Sequence, residues 1–206
     1  MTVDPLSSMA VEVTATFDAS IDEVWALLSD VERMAGLGPE HVAARWETAG
    51  PAVGARFTGR NRIGDLEWDV HCVVTACRPP EFIEWTVGEA PDHSSTWSYA
   101  LSAEPGAASS GRPGAASSAE PGAASSGRPG AATVVVQRFR HGPGFSYVRQ
   151  RVEQSPDRAQ LVVVRRSEML AANMDLTLRA AARLLDQGGG RADRRGTTGA
   201  NGRPDG

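Results

Sequence analysis

Every second residue is apolar along one stretch near the middle of the chain. The apolar positions are Leu66, Trp68, Val70, Cys72, Val74 and Ala76, and the residues between them include Glu67, Asp69, His71 and Thr75. Successive side chains of a β-strand point to opposite faces, so a period of two indicates a strand with one buried and one solvated face. The stretch therefore predicts a long antiparallel strand, of the kind that a curved sheet requires.

Shorter stretches with the same pattern, bounded by turn residues, predict further strands. Together with the long one, the predicted strands cover residues 11–17, 42–48, 56–62, 66–77, 82–87, 95–101 and 133–140. Helices are predicted where apolar residues recur three and four positions apart. They cover residues 21–29, 31–37, a short turn at 145–152, and 157–187. Ser20 and Glu23 form a capping box that marks the start of the first helix.

The last helix begins ambiguously, because residues 161–164 (Leu-Val-Val-Val) suit a strand by local propensity. The long periodic pattern that follows decides for a helix, and Gly188 to Gly190 predict its end. The resulting fold class is α+β. A curved antiparallel β-sheet wraps around a long C-terminal α-helix, and two short helices follow the first strand.

Residues 103–132 are a repeat in which the blocks AEPGAASS and GRPGAASS alternate. Pro, Gly, Ser and Ala with balanced Glu and Arg bury too little apolar surface to order a backbone. We therefore predict a disordered insertion, and an expanded hairpin loop is favoured over a binding arm. The predicted organisation is a single domain over residues 10–187, interrupted by this insertion, with disordered tails at 1–9 and 188–206.

The amino-acid composition limits the classes of partner that the protein is expected to bind. The chain has 206 residues and a net charge of −4, and every one of its 21 basic residues is Arg. Such a balance implies no general attraction to nucleic acid or to anionic lipid. No apolar segment is long enough for a membrane span or a secretory signal, so we expect no stable membrane insertion and a cytoplasmic location. Cys72 and Cys77 are predicted to face opposite sides of one strand and to stay unpaired.

The sequence offers little recognisable chemistry. The four histidines, His41, His71, His93 and His141, have no metal-ligand spacing among themselves or with cysteine. No nucleophile elbow, phosphate-binding loop or redox cysteine pair is present, so we predict neither a metal site nor a cofactor and assign no catalytic residue. Glu67, Asp69 and His71 lie opposite Trp68 on their strand, which predicts a solvent-facing polar group.

Aromatic residues on the apolar strand faces are more informative. They either form a core against the last helix or line a pocket, with the Tyr99 hydroxyl as a polar handle. Asn61 and Gln137 share strand faces with apolar residues, and each either hydrogen-bonds nearby backbone or offers an amide to a ligand. The candidate ligand contacts are Phe57, Asn61, Trp68, Val70, Trp85, Trp97, Tyr99, Gln137, Phe139, Leu170 and Met174.

The order of these elements is similar to that of one known group of proteins, and short stretches add to the likeness. The stretches are residues 19–25 (ASIDEVW), 51–57 (PAVGARF), 59–62 with Gly64 and Trp68, 141–144 (HGPG), and 172–174 (ANM) with Thr177 and Leu178. In order and spacing they resemble the SRPBCC (START-like, helix-grip) superfamily, and most closely its polyketide cyclase/dehydrase branch. The chain departs from that pattern at Leu37-Gly38, where the family often has an aromatic and a small polar residue, and in the repeat insertion.

The resemblance implies binding of hydrophobic small molecules between sheet and helix. We therefore predict that the partner is a lipid- or polyketide-like small molecule held in that cavity. One alternative is a polyketide cyclase or dehydratase, in which a Tyr, Asn or His polarises a carbonyl or moves a proton. Another is a co-chaperone-like interaction module, which the charged outer strand faces argue against.

Overall fold

The computed structural model of the protein describes residues 4–104 and 131–193, with side chains described up to residue 187. The strands are β1 (Ala10–Phe17), β2 (His41–Trp46), β3 (Arg56–Ile63), β4 (Leu66–Arg78), β5 (Phe82–Val87), β6 (Ser95–Ala103) and β7 (Thr133–His141). The helices are α1 (Ile21–Leu28), α2 (Val31–Met34), α3 (Tyr147–Gln154) and α4 (Ala159–Asp193), and a 3₁₀ turn (Pro156–Arg158) precedes α4. Each predicted strand and helix is present, with small shifts in most bounds.

The strands form one sheet in the order β1-β7-β6-β5-β4-β3-β2, and every neighbouring pair is antiparallel. The sheet curls around α4, which buries an apolar stripe against it. The buried side chains of that stripe are Val163, Leu170, Met174, Leu178 and Ala181. Their spacing of three, four and seven residues is what places them on one helix face. The predicted α+β helix-grip architecture is confirmed.

Local signals set the ends of the short helices. The Ser20 hydroxyl accepts from the Glu23 amide, and the Glu23 carboxylate accepts from the Ser20 amide, so the predicted capping box is present. At the other end of the chain, α4 continues through Gly188 to Asp193 instead of ending at the glycines. Glycine weakens a helix but keeps its backbone N–H, unlike proline, so a long helix can run through it.

A β-bulge in β4 changes which residues face the core. The register against β5 shifts between Val74 and Ala76, so Thr75 is an extra residue on β4. As a result Cys77, which simple alternation places opposite Cys72, packs against the same core cluster as Cys72. The predicted opposite facing is therefore wrong, although both cysteines are free thiols.

The segment before β1, predicted to be a disordered tail, packs against the fold over its described part. Leu6 is fully buried and Met9 nearly so, in a cluster with Phe139, Leu170 and Met174. Asp4 anchors the segment, because it accepts from the Leu6 amide and pairs with Arg149 at 3.0 Å. Two apolar residues three positions apart in a turn thus attach the segment to the core residues of β7 and α4.

The repeat insertion lies outside the described residues, except for its ends. Ala103 pairs with Thr133 at the end of the β6–β7 ladder, and the Glu104 amide donates to the Ala132 carbonyl at 2.9 Å. The insertion therefore joins two adjacent, already paired strands, as a hairpin loop does.

Replacing residues 105–130 by a short turn should leave the fold intact and raise the free energy of unfolding by roughly 2 kcal/mol. Shortening a loop from about thirty to about four residues is three halvings of its length, each worth ~0.6 kcal/mol of closure entropy. Urea denaturation measures the change. Loss of cooperative unfolding in the shortened chain would contradict a disordered insertion and, with it, our proposal of one domain over residues 10–187.

Candidate functional site

A cavity of about 160 Å³ lies between the sheet and α4. Its wall is mainly apolar and aromatic, with polar groups at a few positions. The apolar side chains are Leu28, Val31, Met34, Pro39, Phe57, Val70, Cys72, Ile83, Trp85, Val87, Trp97, Leu170 and Met174. The polar residues are Ser29, Glu40, His41, Asn61, Tyr99, Gln137, Asn173 and Thr177. An apolar cavity with a few polar groups is the usual form of a small-molecule site.

Most of the predicted ligand contacts lie on this wall. They are Phe57, Asn61, Val70, Trp85, Trp97, Tyr99, Gln137, Leu170 and Met174. The strand pairings bring them together, because residues paired across neighbouring strands share a face. Trp85 on β5, for example, pairs with Trp97 on β6. Two of the predicted contacts lie elsewhere.

Trp68 and Phe139 are on the inner face of the sheet but outside the cavity lining. Trp68 is partly buried, with its ring 5.6 Å from that of Tyr147, the first residue of α3, in an edge-to-face contact. Phe139 packs edge-to-face on Trp97 at 4.9 Å and lies in the cluster that Leu6 and Met9 cover. Both positions depend on segments that cross the sheet, and strand alternation carries no information about those segments.

One charged group on the cavity wall, Glu40, was not predicted from the sequence. Arg166 on α4 donates two hydrogen bonds to the Glu40 carboxylate, at 2.6 and 2.9 Å, and Asn173 donates a third at 3.2 Å. The two charged side chains are 15% and 17% exposed, so the pair is largely shielded from water. It ties the loop before β2 to α4, over a separation of 126 residues. No local signal links two such distant positions.

His41 at the start of β2 was also missed as a wall residue. The register of β2 against β3 shifts between His41 and Ala43, which breaks simple alternation there. The ring lies beside Gly59 on β3, where an added Cβ would come within 3.1 Å of His41 Nε2 and 3.3 Å of Val70. A glycine at this position thus makes room for the imidazole. Burial lowers the pKa of His41, so the ring is neutral near neutral pH.

We expect the free energy of unfolding to fall as the pH is lowered from about 7 to about 5. Burial lowers the folded-state pKa of His41 and of His141, whereas unfolded histidine titrates near ~6.5. The unfolded chain therefore binds more protons below that pH, and acid favours unfolding until the folded-state pKa values are reached. Urea denaturation across this range measures the slope. It should flatten in His41→Gln and in His141→Gln, and an unchanged slope in both variants would refute the assignment.

The loop between α2 and β2 reaches α4 through a glycine. A Cβ added at Gly38 would overlap the Thr177 side chain of α4, which lines the cavity. Gly38 is one of the two positions at which the sequence departs from the family pattern. Close approach of the backbone to Thr177 explains the glycine, and the next residues, Pro39 and Glu40, form part of the wall.

The outer face of β4 is polar, as predicted. Glu67, Asp69 and His71 are exposed, and Asp69 accepts two hydrogen bonds from Arg60 on β3. Among the described residues, no group of three or more His, Cys, Asp or Glu side chains is placed to hold a metal ion. The described helices also include none that is both long and apolar enough to cross a membrane.

The family description "polyketide cyclase / dehydrase and lipid transport" matches residues 8–142. The match spans more than half of the chain, so the chain belongs to that family, and the resemblance found in the sequence is confirmed. No protein of curated function matches the chain in sequence.

Solved structures share the fold at low sequence identity. A polyketide-cyclase-like protein from Corynebacterium glutamicum is 22% identical with a TM-score of 0.55, over 86% of this chain and 91% of that protein. A protein from Nitrosomonas europaea is 12% identical with a TM-score of 0.53, over 87% and 95%. The di-domain ARO/CYC StfQ of the steffimycin biosynthetic pathway is 13% identical with a TM-score of 0.54, over 88% of this chain and 52% of StfQ. At these identities the likeness shows the fold.

Proposed function

We propose that this protein binds a hydrophobic or amphipathic small molecule in the cavity between the sheet and α4. The observation that carries the proposal is the composition of the wall, where aromatic and aliphatic side chains surround a small number of buried polar groups. Removing apolar ligand surface from water would supply most of the affinity, at ~25 cal/mol per Å². The polar groups would orient the ligand.

The size of the cavity limits which ligands can fit inside it. A volume of about 160 Å³ is close to that of an engineered apolar cavity of ~150 Å³ in another protein that accepts benzene. The cavity therefore suits a single ring, a short acyl chain, or one end of a larger lipid- or polyketide-like molecule. We propose that the ligand contacts are the predicted residues that line it, from Phe57 on β3 to Met174 on α4, and that Trp68 and Phe139 lie outside them.

A cyclase or dehydratase is the second candidate, and His41 favours it. Its imidazole is largely buried, lines the cavity and has a lowered pKa, so it is available as a proton acceptor near neutral pH. The amides of Asn61 and Asn173 lie on the same wall and could polarise a carbonyl. In this reading one end of a polyketide-like chain enters the cavity, where His41 can remove a proton from it.

Native mass spectrometry of the protein purified from a bacterial host tests the binding proposal. We expect a bound small molecule, or one-to-one binding of added p-xylene measured by tryptophan fluorescence, since Trp85 and Trp97 line the cavity. The matched control is Val70→Phe, which fills part of the cavity and should weaken binding. Absence of binding in the natural protein, or equal binding by the control, would refute the proposal.

A separate assay tests the enzyme candidate. Slow chemical conversion of a bound polyketide-like compound would favour a cyclase or dehydratase if His41→Gln abolishes the conversion.

A further inference from the structure

The Gln137 side chain on β7 is an unusual group for the wall of an apolar cavity. The residue is 5% exposed, and its Oε1 has no hydrogen-bond partner among the described residues. Its Nε2 donates to the Tyr99 hydroxyl on β6 over 3.4 Å. A buried carbonyl oxygen without a donor is unfavourable, and native proteins seldom leave one so. Gln137 therefore has an acceptor free on the same wall that would contact a ligand.

The residues that share a row of the sheet with Gln137 are uncharged. Gln137 is flanked on the inner face of the sheet by Val13 on β1 and by Tyr99, which is followed by Ile83 on β5. Burial raises the pKa of Tyr99, so its side chain remains a neutral phenol. No charged side chain takes part in this row. A charged ligand group placed here would lose its hydration without gaining a counter-ion, which is strongly unfavourable.

We infer that the ligand of this cavity is a planar ring that carries a neutral hydrogen-bond donor, such as a phenolic hydroxyl. This group donates to Gln137 Oε1. The inference rests on the proposed function and specifies its ligand class. The aromatic side chains Phe57, Trp85 and Trp97 on the same wall suit a flat ring, and the volume suits one ring. A donor satisfies the free oxygen, whereas an acceptor at the same place would face it unfavourably.

Gln137 then acts as a specificity-determining residue. A ring without a donor leaves Oε1 unpaired in the complex, as it is in the free protein, so only the apolar contacts favour binding. A ring with a donor adds the hydrogen bond and removes the unpaired group. A site built to hydrogen-bond a ligand hydroxyl discriminates strongly against the analogue that lacks the hydroxyl, because the buried polar group of the site is then left unpaired.

Binding of p-cresol, p-xylene and 4-methylanisole to the natural protein and to Gln137→Met tests this assignment by calorimetry. The first two ligands have nearly the same shape, and only p-cresol has a donor. Methionine matches glutamine in length and lacks the amide. The preference for p-cresol over p-xylene should fall by about tenfold in Gln137→Met. The variant loses the hydrogen bond from p-cresol to Oε1, and it no longer has the oxygen that stays unpaired when p-xylene is bound. The acceptor-only 4-methylanisole should gain nothing from Gln137.

The outcomes separate this inference from the proposed function. Binding of p-xylene with an unchanged p-cresol preference in Gln137→Met would leave the cavity proposal standing and overturn the role of Gln137. Failure of all three rings to bind would overturn both. Gln137→Met removes a buried unpaired oxygen but also the Nε2 donor to the Tyr99 hydroxyl, so we expect little net change in the free energy of unfolding. A loss of stability in Gln137→Met well beyond that in Tyr99→Phe, which breaks the same Nε2–hydroxyl hydrogen bond, would show that Oε1 is already satisfied and would also overturn the inference.

Tyr99→Phe provides an independent second variant. It removes the partner of Gln137 Nε2 and leaves Oε1 in place, so the p-cresol preference should persist. Binding of 4-methylanisole should rise, because the amide nitrogen is now free to donate to its oxygen. Loss of the p-cresol preference in Tyr99→Phe would assign the hydroxyl contact to Tyr99 and not to Gln137.

Discussion

Replacing Arg166 by methionine should lower the free energy of unfolding by about 3 kcal/mol. The guanidinium donates two hydrogen bonds to Glu40, and both side chains are largely shielded from water. Removing one partner leaves a carboxylate on the wall of an apolar cavity with only the Asn173 amide as a donor. We expect the lower end of the usual ~3–5 kcal/mol for a broken buried pair, since some solvent reaches both groups.

The double variant Glu40→Gln with Arg166→Met is the matched control. It removes both charges, so most of the lost stability should return, and urea denaturation of the four proteins gives the coupling energy. Two independent, additive losses would show that the ion pair does not hold the β2 side of the sheet to α4. Because Glu40 lines the cavity, Arg166→Met should also change ligand binding. Arg166→Met should have no effect on distant ion pairs such as Arg60–Asp69.

Phe57→Ala should lower the free energy of unfolding by about 3–5 kcal/mol. Phe57 is 4% exposed and makes edge-to-face contacts with Trp46 at 5.2 Å and Trp85 at 6.1 Å. Its removal loses these contacts and leaves a void that rigid neighbours fill only in part. The void should join the existing cavity, so the variant should accept rings larger than those the natural protein binds.

Trp68→Ala is the comparison for Phe57→Ala, because both are aromatic residues on the inner face of neighbouring strands. Trp68 is only partly buried and its aromatic contact is with the half-exposed Tyr147, so the loss should be about 1–2 kcal/mol. Urea denaturation gives both values. Equal losses would contradict the placement of Phe57 in the core and Trp68 at its edge, and stronger loss of ligand binding in Trp68→Ala would contradict the position of the cavity.

Local patterns were enough to predict the architecture. Apolar residues at every second position from Leu66 to Val74 predicted β4. The Ser20–Glu23 capping box predicted the start of α1, and the apolar stripe through Leu170 and Met174 predicted α4 and its buried face. These signals are strong because each depends on residues a few positions apart, whose relation is set by the geometry of a strand or a helix. Most of the cavity wall followed from them, since each strand's inner face was known before its neighbours were.

Alternation alone did not predict which side chains face inward where the register between two strands shifts by one residue. The bulge in β4 turned Cys77 inward, and the shift in β2 accompanied the placement of His41 on the cavity wall. A bulge arises from how two strands pair, so the sequence of either strand alone does not reveal it. Trp68 and Phe139 were assigned to the cavity for a different reason, because alternation does not reveal that Tyr147 of α3 and the segment with Leu6 and Met9 pack against them.

The hydrophobic pattern of this chain thus specified a curved sheet closed by a helix, and the apolar character of the space between them. Tertiary structure decided which polar groups enter that space. Glu40 meets Arg166, and Gln137 meets Tyr99, only after segments far apart in sequence are brought together by the burial of apolar surface. Burial is non-directional and tolerates many arrangements, whereas a hydrogen bond requires two particular atoms at about 3 Å, so the selective chemistry of the site appears only in the folded chain.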